Sequence, residues 1–120
     1  MKNSKAEKML LRIRAICLAL PEVVEVEAWG HPTFRAPKKM FAAFGENISE
    51  GPTLGLKVGF DRQEVLLEDS PFFPTPYAAH QGWVSLKLDA NTDWDEVKGL
   101  VLEAYKQVAL QRMLKAIENS

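Results

Sequence analysis

Five basic side chains in this sequence fall on or beside one predicted face of a β-sheet. Arg35, Lys57 and Lys87 occupy outward positions of three alternating segments, and Lys38 with Lys39 forms the connection after the first of them. Cations that share one surface can bind the phosphates of a nucleic acid. The pattern therefore predicts a nucleic-acid-binding surface formed by Arg35, Lys38, Lys39, Lys57 and Lys87.

The same face also fits a plainer interpretation. We expect Glu25 and Glu27 to share it, with Glu27 opposite Arg35, and these carboxylates would cancel part of the positive field. A solvated sheet face with cross-strand ion pairs, each worth about 0.2–1 kcal/mol, has this composition. An open face of mixed charge also suits a protein partner or self-association.

Aromatic and histidine side chains form a second candidate site. They could line a pocket in a protein- or small-ligand-binding module, or the aromatics could simply anchor the proline-rich segment at 69–77 to the domain. The residues of this alternative site are Trp29, His31, Tyr77, His80 and Trp83.

No catalytic or metal-binding motif accompanies these residues. His31 and His80 are the only histidines, and no His, Cys, Asp or Glu spacing supplies the converging ligands of a metal site. The serines lack the Gly-x-Ser-x-Gly setting, and no phosphate loop is present. Cys17 lies on the apolar stripe of a predicted helix, as a buried structural thiol would. We therefore expect no enzyme, no cofactor and no metal.

A β-hairpin is predicted to open the sheet. Alternating runs at 24–28 and 33–36 flank turn-forming residues. A three-residue loop beginning at Gly30 pairs Ala28 with Phe34, which turns the valines of the first run toward the core. A two-residue loop would put Phe34 on the other face.

The remaining elements complete an α+β architecture. A strand at 53–59 and another at 81–88 alternate clearly, whereas the register of an apolar strand at 39–44 is left open. Helical periodicity covers 4–20, 61–68 and a long segment from 94 to 108 or beyond. The order α-β-β-β-β-α-β-α predicts a single domain over 1–120, an antiparallel sheet with helices packed on one face.

Composition narrows the class of protein further. The chain has 120 residues, a formal net charge of -1 and a pI of about 6.1. This charge excludes nucleic-acid binding by bulk charge, since such domains have a pI above about 9, but it allows a local basic patch. One cysteine permits no internal disulfide, and no apolar leader or membrane span is evident. We expect a cytoplasmic protein without a membrane partner.

Several segments together resemble the MmcQ/YjbR family of small bacterial proteins. The most distinctive is Trp-Gly-His-Pro-Thr-Phe-Arg at 29–35, and others lie at 20–21, 39–42, 54–58, 76–77, 82–84 and 94–97. The resemblance, over about residues 8–110, implies a frataxin-like (CyaY-like) fold and a DNA-binding label, sometimes with a double-wing motif. It implies no catalytic residues. Many relatives are more basic at 78–81, where this chain has Ala-Ala-His-Gln.

Overall fold

Six antiparallel strands and four α-helices build the described part of the chain, which in this computed structural model comprises residues 4–47, 51–69 and 71–119. In chain order they are α1 (Ser4–Leu18), β1 (Val24–Ala28), β2 (His31–Arg35), β3 (Met40–Asn47), β4 (Gly51–Lys57), α2 (Phe60–Leu66), β5 (Phe72–Pro74), β6 (Trp83–Lys87), α3 (Trp94–Val108) and α4 (Gln111–Glu118). The predicted α+β class is confirmed. The structure contains two elements that the predicted order lacks, β5 and α4.

The strands form one sheet in the order β1-β2-β3-β4-β6-β5. Every pair of neighbours is antiparallel. The β1–β2 hairpin therefore lies at one edge of the sheet, and the segment around β5 lies at the other. This order decides which of the predicted site residues can meet.

Helices α1 and α3 pack on one face of the sheet, and the core lies between them and the strands. Leu54 and Leu56 of β4 are fully buried there, which confirms the predicted alternation of that strand. Removing such side chains from water is worth about 1.5–3 kcal/mol each. We call the opposite face, turned away from α1 and α3, the outward face.

A β-bulge explains why the register of β3 escaped prediction. Phe34 pairs with Ala42 but Arg35 pairs with Met40, so Phe41 is the extra residue. Phe41 and Ala42 are both fully buried although they are consecutive. The ring of Phe41 meets Tyr105 of α3 edge to face, with ring centroids 5.6 Å apart.

The register of the first hairpin differs from the prediction by three residues. Glu25, not Ala28, lies opposite Phe34, and Ala28 lies opposite His31. The turn is therefore Trp29–Gly30, with φ of 51° and 77°. A two-residue turn in which both residues have positive φ matches the right-handed twist of the two strands. The predicted three-residue loop is therefore wrong.

The slipped register carries both glutamates of β1 away from the outward face. Glu25 accepts two hydrogen bonds from Arg14 of α1, from Nε at 2.8 Å and from Nη2 at 2.9 Å. This bidentate pair lies on the helix side, so a carboxylate can occupy a core-facing position there. Val24 and Val26 are exposed as a consequence.

Candidate nucleic-acid interface

Four of the five predicted cations gather at one end of the sheet, which we call the basic end: Arg35, Lys38, Lys39 and Lys57. Arg35 is the last residue of β2, and Lys57 is the last residue of β4. Since β3 lies between these strands, the two backbones are about 10 Å apart. Both side chains belong to the outward face, because their positions alternate with the buried Phe34 and Leu56.

Lys38 and Lys39 extend the basic end beyond the sheet. They lie in the connection between β2 and β3, which contains the cis peptide bond Ala36–Pro37. The amide of Ala36 donates a hydrogen bond to the carbonyl of Lys39 at 3.0 Å, which closes the connection as a compact turn. Both lysines are exposed, so the turn presents two positive charges to solvent.

Arg35 carries a polar atom that the fold does not satisfy. The residue is half-buried, and its Nε is buried without a hydrogen-bond partner. A buried donor left unpaired costs about 1–3 kcal/mol. Such an atom in a native fold needs an explanation. Because Nε is enclosed, a ligand at this cluster of cations would contact the terminal nitrogens of the guanidinium instead.

At the strand positions that the structure describes, the outward face has no acidic side chain. Its titratable groups are His31, Arg35, Lys57 and Lys87. The expectation that Glu25 and Glu27 share this face, with Glu27 opposite Arg35, is wrong because the hairpin register is shifted by three residues, an odd number that exchanges the two faces of β1. The field of the lysines and arginine on this face is therefore stronger than the sequence suggested.

Lys87 belongs to the same face but lies away from the basic end. It pairs with Thr53, four residues along β6 from Trp83, which corresponds to about 13 Å. It lines a pocket of about 230 Å³ together with Asp89, Asp93 and Glu96. These carboxylates offset its charge, so Lys87 is not part of the basic end.

Trp83 lies beside Lys57 on the outward face, as predicted, yet only 7% of it is exposed. Its ring covers Gly55 of β4, where an added Cβ would lie 3.6 Å from Cε3 of the indole. This is an ordinary van der Waals distance, and the ring fills the face between β4 and β6. A buried indole is not available to stack on a base.

The structure does not bring the five residues of the alternative pocket together. Trp29 and His31 lie at the β1–β2 edge, whereas Tyr77, His80 and Trp83 lie at the edge formed by β5 and β6. The strand order separates them by most of the width of the sheet. His31 instead borders a pocket of about 300 Å³ between α1 and the hairpin, which the other four do not line.

Tyr77 does not anchor the proline-rich segment, contrary to expectation. It is 97% exposed and has a φ of 64°, whereas Phe72 and Phe73 are half-buried and hold β5 to the domain. Two hydrogen bonds to the carbonyl of Thr75, from the amides of Ala78 and Ala79, close the loop around it. The sequence carried one signal for this exposure, Pro76, which precedes Tyr77 and interrupts the strand pattern.

The remaining candidate groups serve the fold. Burial, followed by the charge of Glu25, raises the pKa of Cys17 to about 12, so this thiol is a poor nucleophile. Within the described ranges, no three His, Cys, Asp or Glu side chains converge in a way that could hold a metal ion. No helix among these residues has the length and apolar character needed to cross a bilayer.

Comparisons with known proteins agree with this fold. The search of curated proteins finds no significant match. Among solved structures, the crystal structure of a protein from Pseudomonas syringae, a Northeast Structural Genomics Consortium target, is similar with a TM-score of 0.68. The match has 15% sequence identity and covers 84% of this chain and 97% of that one. The family model named YjbR matches residues 18–107. The chain thus belongs to the YjbR family, as its motifs predicted.

Proposed function

We propose that this chain is a non-catalytic, cytoplasmic DNA-binding protein that holds phosphates at the basic end. Arg35 and Lys57 contact the backbone of the nucleic acid from the outward face. Lys38 and Lys39 form the tip of a wing, which is the part that the double-wing description of the family implies. The observation that supports this most is an outward face without carboxylates at its described strand positions.

The second support is the unpaired Nε of Arg35. An arginine that makes no hydrogen bond through a buried nitrogen lowers the stability of the free protein. A bound phosphate at its terminal nitrogens returns a charge-assisted interaction, which is about twice as strong as a neutral one. The phosphate would thus be held by the terminal nitrogens, while the buried Nε stays without a partner.

Fluorescence anisotropy against a DNA duplex over a salt series tests the proposal. Three to four phosphate contacts predict a slope of log K against log salt of about −3 to −4. Lys57→Glu should weaken binding and reduce this slope by about 1. Lys106→Glu on α3 makes the same change in net charge away from the outward face, so it should leave binding unchanged.

Two outcomes contradict the proposal. Binding that does not depend on salt, or no binding at all, excludes phosphate contacts. The alternative is then a protein partner or self-association through the exposed Val24 and Val26 of edge strand β1. Equal losses in Lys57→Glu and Lys106→Glu show that only total charge matters. Lys87→Glu provides an internal comparison, since its acidic surroundings predict a smaller loss than at Lys57.

A further inference from the structure

We propose that the basic end binds single-stranded nucleic acid, and that Tyr77 stacks on one of its bases. This inference rests on the proposed phosphate-binding function and adds the form of nucleic acid and the residue that contacts a base. It starts from the most exposed aromatic side chain among the described residues: 97% of Tyr77 is accessible to solvent. A tyrosine ring gains nothing for the fold at such a position.

The backbone holds Tyr77 in this position. Its φ of 64° is in the left-handed region, which is uncommon for a residue with a side chain. The amides of Ala78 and Ala79 both donate to the carbonyl of Thr75, at 3.2 and 3.0 Å, and close the loop around Tyr77. A strained residue that its surroundings maintain is typical of a functional site.

Contacts from two other elements tie this loop to the sheet. The hydroxyl of Thr75 lies 2.8 Å from the hydroxyl of Ser85 on the outward face of β6. Nε2 of Gln63 in α2 donates to the carbonyl of Ala79 at 2.6 Å and to that of Trp83 at 2.8 Å. The exposed ring is therefore presented by a fixed loop, and the backbone of this loop loses little conformational freedom on binding.

The loop lies at the same end of the sheet as the cations. It leads directly into Trp83, which pairs with Lys57. The carbonyl of Gly82 accepts hydrogen bonds from the amides of Val58 and Gly59, both at 3.1 Å, so the loop adjoins the end of β4. A nucleic acid that contacts Lys57 through its phosphates thus passes close to the ring of Tyr77.

An exposed ring beside cations favours a single strand over a duplex. In a duplex the bases are stacked on one another, whereas in a single strand each base has a free face for an aromatic side chain. Trp83 cannot supply that ring because it is buried. Phe60, at the start of α2, is also exposed at this end, at 63%, but Tyr77 is the more exposed of the two rings, at 97%. Proteins that bind single strands combine a basic track with such stacking residues.

Trp29 provides a matched control within the same chain. It is also exposed, at 90%, and has a positive φ of 51°. It lies, however, in the β1–β2 turn at the opposite edge, where the adjoining pocket is lined by Glu7, Glu27 and Glu46. If any exposed ring sufficed, Trp29 would contribute as much as Tyr77.

The test measures anisotropy with a labelled oligothymidine of about 12 nucleotides, its abasic counterpart and a duplex of equal length. The intact protein should prefer the oligothymidine, and Tyr77→Ala should lose about tenfold or more on that probe. Tyr77→Phe keeps the ring and should stay within about twofold, as should Trp29→Ala. On the abasic strand and on the duplex, Tyr77→Ala should match the unmodified protein.

The outcomes separate this inference from the function on which it rests. If no probe binds in a salt-dependent way, the phosphate-binding function itself fails. If the probes bind but Tyr77→Ala equals the unmodified protein on oligothymidine, only the stacking role is overturned. An equal loss on all three probes also overturns it, because a stacking residue must distinguish a strand with bases from one without.

Discussion

Replacing Arg35 with methionine should leave the protein at least as stable while weakening its binding to DNA. The two side chains match in length as far as the position of Nε, where methionine places its terminal methyl group. The substitution therefore keeps the buried stem and removes the unpaired donor. Stability and binding should move in opposite directions.

The magnitude follows from the burial of that one atom. Removing an unsatisfied buried N–H returns about 1–3 kcal/mol of desolvation cost. The substitution also removes the contacts of the rest of the guanidinium. For a half-buried group, we take this loss to lower the free energy of unfolding by about 1 kcal/mol. We expect Arg35→Met to change the free energy of unfolding by about 0 to +2 kcal/mol, with a melting temperature unchanged or raised by up to about 10 °C.

Urea denaturation and the salt series of DNA binding measure the two effects. One lost phosphate contact should make the slope of log K against log salt less negative by about 0.9. Lys57→Met removes the same charge from a residue without a buried unpaired nitrogen, so its stability should stay within about 0.5 kcal/mol. A loss of more than about 1 kcal/mol in Arg35→Met would refute the reasoning, since the guanidinium would then be structural.

Three further substitutions test the register, a turn and a buried thiol. Glu25→Gln breaks the bidentate contact with Arg14 and should cost about 1 kcal/mol in urea denaturation, yet leave DNA affinity unchanged because Glu25 is on the helix side. Trp29→Asn should stabilise the protein by about 0.5–1 kcal/mol in the same assay, since asparagine tolerates positive φ and the indole packs on nothing. Burial raises the pKa of Cys17 to about 12, from an ordinary value near 9. As the pH rises, the thiol therefore ionises in the unfolded chain before it ionises in the folded protein. The contribution of Cys17 to the free energy of unfolding is complete below about pH 9 and is lost as the pH rises toward 12. In Cys17→Ala the free energy of unfolding should fall less between about pH 8 and pH 10.5 than in the unmodified protein.

The fold class could be predicted because two strands alternate without ambiguity. Leu54 and Leu56 in β4, and Val84 and Leu86 in β6, are buried as their spacing predicts. Strand β5 was missed for a physical reason. Pro74 removes a donor from the strand pattern, but β5 is at the edge of the sheet, where a proline can be accommodated.

The hairpin register could not be predicted because it depends on a contact distant in sequence. Alternation alone turns the valines of β1 inward and its glutamates outward. The opposite arrangement becomes favourable once α1 places Arg14 against Glu25, 11 residues along the chain. The local alternation of apolar and polar residues in β1 contains no information about this contact with α1.

The break between α3 and α4 and the exposure of Tyr77 have similar origins. Helix α3 ends without a glycine or a proline to mark its end. The backbone is nevertheless extended at the next two residues, Ala109 and Leu110. Tyr77 looks like an anchor by its residue type. Its position depends on a loop that Gln63 and Ser85 hold from elements remote in sequence.

The shifted register of the hairpin also bears directly on function. In the predicted register, Glu27 lies opposite Arg35 on the outward face, and the pair is a self-satisfied surface ion pair with little attraction for phosphate. In the observed register, Arg35 lies opposite Val24, and Glu25 is paired with Arg14 on the other side. The arginine thus keeps both its charge and an unpaired donor, and it shares its end of the face with Lys57. The register of the hairpin therefore decides whether the outward face can attract an anion. Measured on the same DNA, Glu25→Gln should keep the affinity, because it leaves the cations of the outward face in place, whereas Arg35→Met should lower it.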